Sequence, residues 1–166
     1  MKIAFLLCGL LLLLCPSCVP RPAADSPAAV SIARYDPGSG AVSGFRSDRI
    51  QPAFEDGMPI NEARIERLGD RFYLLLAGRR AEPVAAGGPS CRTQRILLDR
   101  ADDALVLGRR ANAETCTGVN CQHCDFAAGG GCVCKQPSTV VVGESAGRCD
   151  HTITRISGFA SVLRGP

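Results

Sequence analysis

ARIERLGDRFYLLLAG, residues 63 to 78, decides the fold. Two apolar-rich runs flank Gly69-Asp70, a two-residue connection of the kind that closes a type I′ or II′ hairpin. Strand alternation puts Phe72, Leu74 and Leu76 on one face and Tyr73 and Leu75 on the other. After the PVAAGGP loop at 83–89, TQRILLDR (93–100) and ALVLGRR (104–110) read as two further strands that turn at Ala101-Asp102-Asp103. A helix over 94–110 is disfavoured by Gly108 and by the aspartate pair. TVVVGES (139–145) and HTITRI (151–156) repeat the pattern of short β-branched runs, and FASVLRGP (159–166) is a last strand or a frayed end. No helical period of ten or more residues separates these runs, so parallel βαβ units are excluded. The recurring turn signals predict an all-β fold, a small antiparallel sandwich, barrel or meander.

Upstream of residue 61 the pattern dissolves. Six of the eleven prolines, at 20, 22, 27, 37, 52 and 59, lie between residues 19 and 60, with PAADSPAA and DPGSGAVSG among them. This composition predicts a flexible tether over 18–60, carrying one short strand at Val30 to Tyr35, with order beginning near Ala63. The remaining 61–166 form a cysteine-rich β domain.

The first residues, MKIAFLLCGLLLLLCPSC, give the chain an address. Lys2 is a minimal positive n-region, and Ile3 to Leu14 form an apolar run of the length of a secretory h-region, too short for a membrane span of about 20 residues. Ser17-Cys18 follows directly after Pro16. This segment resembles the type II signal peptide of bacterial lipoproteins, in which a small residue precedes the cysteine that receives diacylglycerol. The resemblance covers residues 2 to 18 and implies removal of 1–17, a lipidated Cys18, and residence in the bacterial cell envelope. Val19 in place of Asp implies delivery to the outer membrane.

Export governs how the cysteines are read, because disulfides persist outside the cytoplasm. Cys91, Cys116, Cys121, Cys124, Cys132, Cys134 and Cys149 lie downstream of the anchor. Seven is odd, so at most three intramolecular bridges form and one thiol is left free or bound to something else. Cys132 and Cys134, on one strand face, should bridge to different partners. Strands this short bury little apolar surface, which makes cross-links valuable.

Metal binding is the alternative, with Zn or Cu held by a subset of Cys116, Cys121, Cys124, His123, Cys132, Cys134, Cys149 and His151. Only Cys121 and Cys124 have the C-x2-C spacing of a zinc knuckle. Cys116, Cys121 and Cys124 share the C-x4-C-x2-C spacing of plant-type 2Fe-2S ferredoxins, in a loop otherwise unlike theirs. The C-Q-H-C stretch at 121–124 resembles the dithiol of periplasmic thiol oxidoreductases, without the βαβ context that places such a dithiol at a helix N-terminus.

Other chemistry finds less support. There is no G-x-S-x-G elbow, no H-E-x-x-H, and no Lys-Ser/Thr beside the glycine runs at 38–44 and 129–131. Loss of Lys2 with the leader leaves eighteen basic against sixteen acidic residues, a net charge of +2, which gives no electrostatic footprint for nucleic acid. The reading is therefore an envelope protein with a structural or binding role and no identifiable catalytic site, its partner another envelope component or a small ligand and with no cofactor; the alternative is a metal-binding (Zn or Cu) or thiol-redox envelope protein that uses the 116–134 cysteines.

Overall fold

The computed structural model describes residues 29–81, 88–135, 147–156, 158–159 and 161–164. Ten strands follow in order: β1 (Ala29–Tyr35), β2 (Val42–Ser43), β3 (Ile60–Leu68), β4 (Arg71–Arg79), β5 (Pro89–Ala101), β6 (Ala104–Gly108), β7 (Asn112–Val119), β8 (His123–Phe126), β9 (Cys132–Lys135) and β10 (Arg148–Arg155). All pairings are antiparallel, and no α-helix occurs among the described residues. Eight of the strands make one sheet that curls into a half-barrel, and β8–β9 form a separate hairpin.

The hairpin expected at residues 63–78 is β3–β4, with Leu68 opposite Arg71. Gly69 has φ of +60° and Asp70 does not share the left-handed region, as a type II′ turn requires. The 94–110 region is strand, turning at Asp102-Asp103, where Asp102 takes φ of +50°. HTITRI lies almost wholly within β10; TVVVGES lies outside the described residues.

β5 is the organising strand. At thirteen residues it is long enough to serve two ladders: residues 91–98 pair with β4 and 89–96 with β7, while Asp99–Ala101 pair with β6, which continues to β1 and β2. The sheet therefore bends along β5 and its concave face closes over the core. Phe72, Leu74, Leu76, Ile96, Leu98 and Ala113 come from one arm, Leu105, Leu107 and Ala33 from the other. Tyr73 and Leu75 are buried too, on the outer face of β4.

Residues 29–60 do not behave as the expected tether. β1 forms a full ladder with β6, and Ile50, Phe54 and Met58 are buried in the core, Met58 completely. Pro37 lies in a turn, Pro52 in a bend, and Pro59 makes an isolated antiparallel bridge with Ala53, all within this folded segment. Asp36 accepts hydrogen bonds from Ser39 Oγ (2.6 Å) and from the Gly38 amide (2.8 Å), which lower its carboxyl pKa. Phe54 N bonds to Met58 O at 2.9 Å. Order thus begins no later than residue 29, not near residue 63. Of the expected last strand or frayed end, residues 159 and 161–164 are described, and they fold onto the sheet without forming a strand. Leu163 makes an isolated bridge with Ile50, and Val162 and Leu163 are buried.

The arginines have a role beyond solvation. Arg67, Arg92 and Arg100 place their guanidinium groups over Phe72, Phe54 and Tyr35 at 5.6, 5.2 and 5.8 Å, covering rings at the rim of the core.

Candidate functional site

The sulfur atoms gather on the outer face of the sheet, at the end formed by β5, β7 and β10. Register explains why. Cys91, Gly118 and Cys149 are direct cross-strand neighbours, as are Thr93, Cys116 and His151 in the next row of the same face. The β8–β9 hairpin lies over this patch as a flap, with Cys124 opposite Cys134 in its own ladder. The chain enters the flap through Asn120, at φ of +55°, a conformation asparagine tolerates. Ser90 Oγ fixes that turn by donating to the Cys121 carbonyl (2.9 Å) and accepting from the Cys121 amide (3.2 Å). At the far end, Gly130 and Gly131 both take positive φ to close the loop between β8 and β9.

Three disulfides staple the flap: Cys116–Cys132 and Cys124–Cys149 join it to β7 and β10, and Cys121–Cys134 ties β9 to the turn by which the chain enters the flap; their Cα separations are 5.6, 6.0 and 5.5 Å, all within the range that bridges span. Cys132 and Cys134 take different partners, and all five cysteines between 116 and 134 are oxidised. Each bridge joins an inner, buried cysteine (Cys116, Cys121 or Cys124) to an outer, half-buried one (Cys132, Cys134 or Cys149). Cys91, a bridge candidate in the sequence, is the free thiol among the described residues; it is buried in the same cluster as the other six. Burial pushes its pKa up and the charge of Asp125 adds to this, whereas hydrogen bonds from Ser90 and Gly118 and the charge of Arg79 oppose it.

Of the eight residues proposed as metal ligands, only Cys121, Cys134 and Cys149 come together at ligand spacing among the described residues. Their Sγ atoms lie within 4.8 Å of one another, and Cys121 and Cys149 approach to 3.7 Å although they belong to different bridges. The histidines stand apart from this triangle. His123 is exposed at the start of β8, opposite Lys135. His151 is opposite Cys116, with Nε2 3.5 Å from Glu114 Oε2 and its ring edge-on to Phe126.

Beside the sulfur patch lies a group that sequence reading missed. Arg95 donates to Glu114 Oε2 through Nε (3.1 Å) and Nη2 (2.6 Å), and its guanidinium is stacked between Phe126 of the flap (4.2 Å) and Tyr73 of the sheet (5.4 Å). No sequence signal pairs residues this far apart; only the β5–β7 register brings Arg95 opposite Glu114. Arg95→Ala is expected to destabilise the protein by about 2 kcal/mol, since it removes the ion pair and both ring contacts and leaves Glu114 without its arginine. Arg95→Lys should restore only part of this, because an ammonium cannot form the fork or stack as a plane. Urea unfolding with tryptophan-independent detection, such as far-UV circular dichroism, measures both.

The class so defined is a small antiparallel half-barrel carrying a disulfide-stapled flap on its outer face. Comparison of the chain with protein-family models, curated proteins and solved structures finds no match.

Proposed function

We propose that the chain is an exported, lipid-anchored protein of the bacterial cell envelope, whose stapled β domain has a structural or binding role. The observation that carries this is the oxidation state of the domain: six cysteines sit in three bridges within one patch, a condition that cytosolic thiol pools do not sustain. The resemblance of residues 2–18 to a lipoprotein signal supplies the route and the anchor at Cys18. The membrane is then one partner, through the lipid, and a second envelope component or a small ligand is the other. The intact mass of protein extracted from envelope membranes tests the anchor. A mature chain that starts at Cys18 and carries diacylglycerol is expected, and a different start or the absence of lipid mass would overturn the lipoprotein reading.

The triangle of Cys121, Cys134 and Cys149 favours a second reading, a Zn or Cu site. With Zn–S distances of about 2.3 Å, tetrahedral thiolates stand roughly 4 Å apart; Cys121 and Cys149 are already 3.7 Å apart, whereas Cys121 and Cys134 are bonded to each other and would have to separate. Such a site requires both the Cys121–Cys134 and the Cys124–Cys149 bridge to be open. Elemental analysis beside thiol alkylation, on protein isolated without reductant, separates the two readings. Four or more alkylatable cysteines together with a bound metal would put the metal reading first.

A further inference from the structure

Gly118 marks the point where the spare thiol meets the bridges. A β-carbon built on it would stand 2.5 Å from Cys91 Sγ, 3.0 Å from Cys121 Cβ and 3.2 Å from Cys124 Cβ. Only glycine lets these three side chains converge. The thiol of Cys91 and the inner ends of two bridges thus surround the same point and share one buried cluster, and those two bridges approach each other through Cys121 and Cys149, at 3.7 Å. The outer ends, Cys134 and Cys149, are the half-exposed ones.

We propose that Cys91 exchanges with these bridges and thereby relays the protein's spare thiol from the buried sheet to the surface, where Cys134 or Cys149 becomes a modification site for the disulfide of a partner protein. In the first route the Cys91 thiolate forms a bond to Cys121 Sγ as the Cys121–Cys134 bond breaks. The leaving sulfur of Cys134 takes up the proton that Cys91 gave up. The second route is the same with Cys124 as the inner sulfur and Cys149 as the leaving one. Three bridges are present before and after, so no oxidant or reductant is consumed. The exposed thiolate then attacks a partner's disulfide and forms a mixed disulfide, releasing one partner thiol.

The inner-to-outer arrangement of every bridge gives the relay its direction. A thiol that is 3% exposed cannot meet a protein-sized partner, whereas one on β9 or β10 can. Burial keeps the Cys91 thiolate scarce, so the exchange is slow relative to that of an ordinary surface thiol.

The test uses full-length protein extracted from membranes without reductant and held in its native state with N-ethylmaleimide at pH 8. After acid quench and non-reducing digestion, the label is expected on Cys134 or Cys149, and in the same molecules Cys91 should be found linked to Cys121 or Cys124. Cys91→Ala should keep three bridges and lose that label. Peptide mapping keeps any reaction at Cys18 separate, so the outcome is independent of the lipid anchor. Label confined to Cys91, or native protein that takes no label while Cys91 alone reacts in denaturant, would overturn the relay. The mapping of the unsubstituted protein decides the matter even if the alanine variant folds poorly.

Discussion

Gly78→Ala is expected to cost the protein 3 kcal/mol or more, roughly, because the added methyl group would meet backbone. Gly78 lies on the core face of β4, opposite Ile60 of β3 and Arg92 of β5. A β-carbon there would collide with the backbone carbonyl of Pro59 and stand 2.8 Å from Phe54 Cε2. Backbone cannot step aside as a flexible side chain can. Either β4 bends out of its ladders or the segment carrying Phe54, Met58 and Pro59 lifts from the sheet. Lifting would uncover Met58 and Phe54, each worth about 1.5–3 kcal/mol of apolar burial. For a domain of this size the melting temperature should fall by about 10 °C. Gly129→Ala is the control. Its β-carbon meets nothing within 4 Å and its φ is not in the left-handed region, so a change within about 0.5 kcal/mol is expected. Paired denaturant titrations measure both, and a Gly78→Ala loss under about 1 kcal/mol would show that the 52–59 segment is not held as tightly as its packing indicates.

Gly78 also shows what the sequence could and could not convey. Its partners Phe54 and Pro59 lie in the stretch read as a tether, because that stretch has no apolar period. Ile50, Phe54 and Met58 reach the core at irregular spacing, from turns fixed by hydrogen bonds among neighbours, and pattern reading weighs regular recurrence. By contrast, β3–β4 and β5–β6 combine alternation with turn residues of the right chemistry, and their faces were legible before any coordinates. The site divides in the same way. Alternation alone separated the partners of Cys132 and Cys134. Which partners they take depends on register, on Gly118 making room between Cys91 and Cys149, and on a flap that folds back over its own strand. The isolation of the histidines from the sulfur triangle has the same origin, since His151 falls opposite Cys116 while the triangle forms one row further along the face.

Reduction of the three bridges is expected to melt the flap while the half-barrel persists. The residues divide into two buried clusters. One is the apolar core of the concave face, which contains no cysteine; the other is built almost wholly of cysteine side chains, with Phe126 at its edge. β8 and β9 are four residues each, and a two-stranded hairpin of that length has no stability of its own in water. Without the bridges, the contacts of Phe126 with Arg95 and His151 and the Ser90 bonds to Cys121 are among the few that remain between flap and sheet, and the exposed Lys135–Asp125 ion pair acts only within the hairpin. The bridges close separations of 13, 16 and 25 residues, each worth about 3 kcal/mol by loop entropy, and their loops overlap, so the total falls short of the sum. Even so the loss is a large share of the 5–15 kcal/mol that domains of this kind possess. Hydrogen exchange in the presence of a phosphine reductant should therefore become fast over 123–135 while amides of β4 and the centre of β5 stay protected, because their ladders lie within the apolar core. Melting should move down by 10 °C or more, roughly. If the whole sheet exchanges together with the flap on reduction, the two clusters fold as one unit and the staples secure the entire domain rather than its outer face.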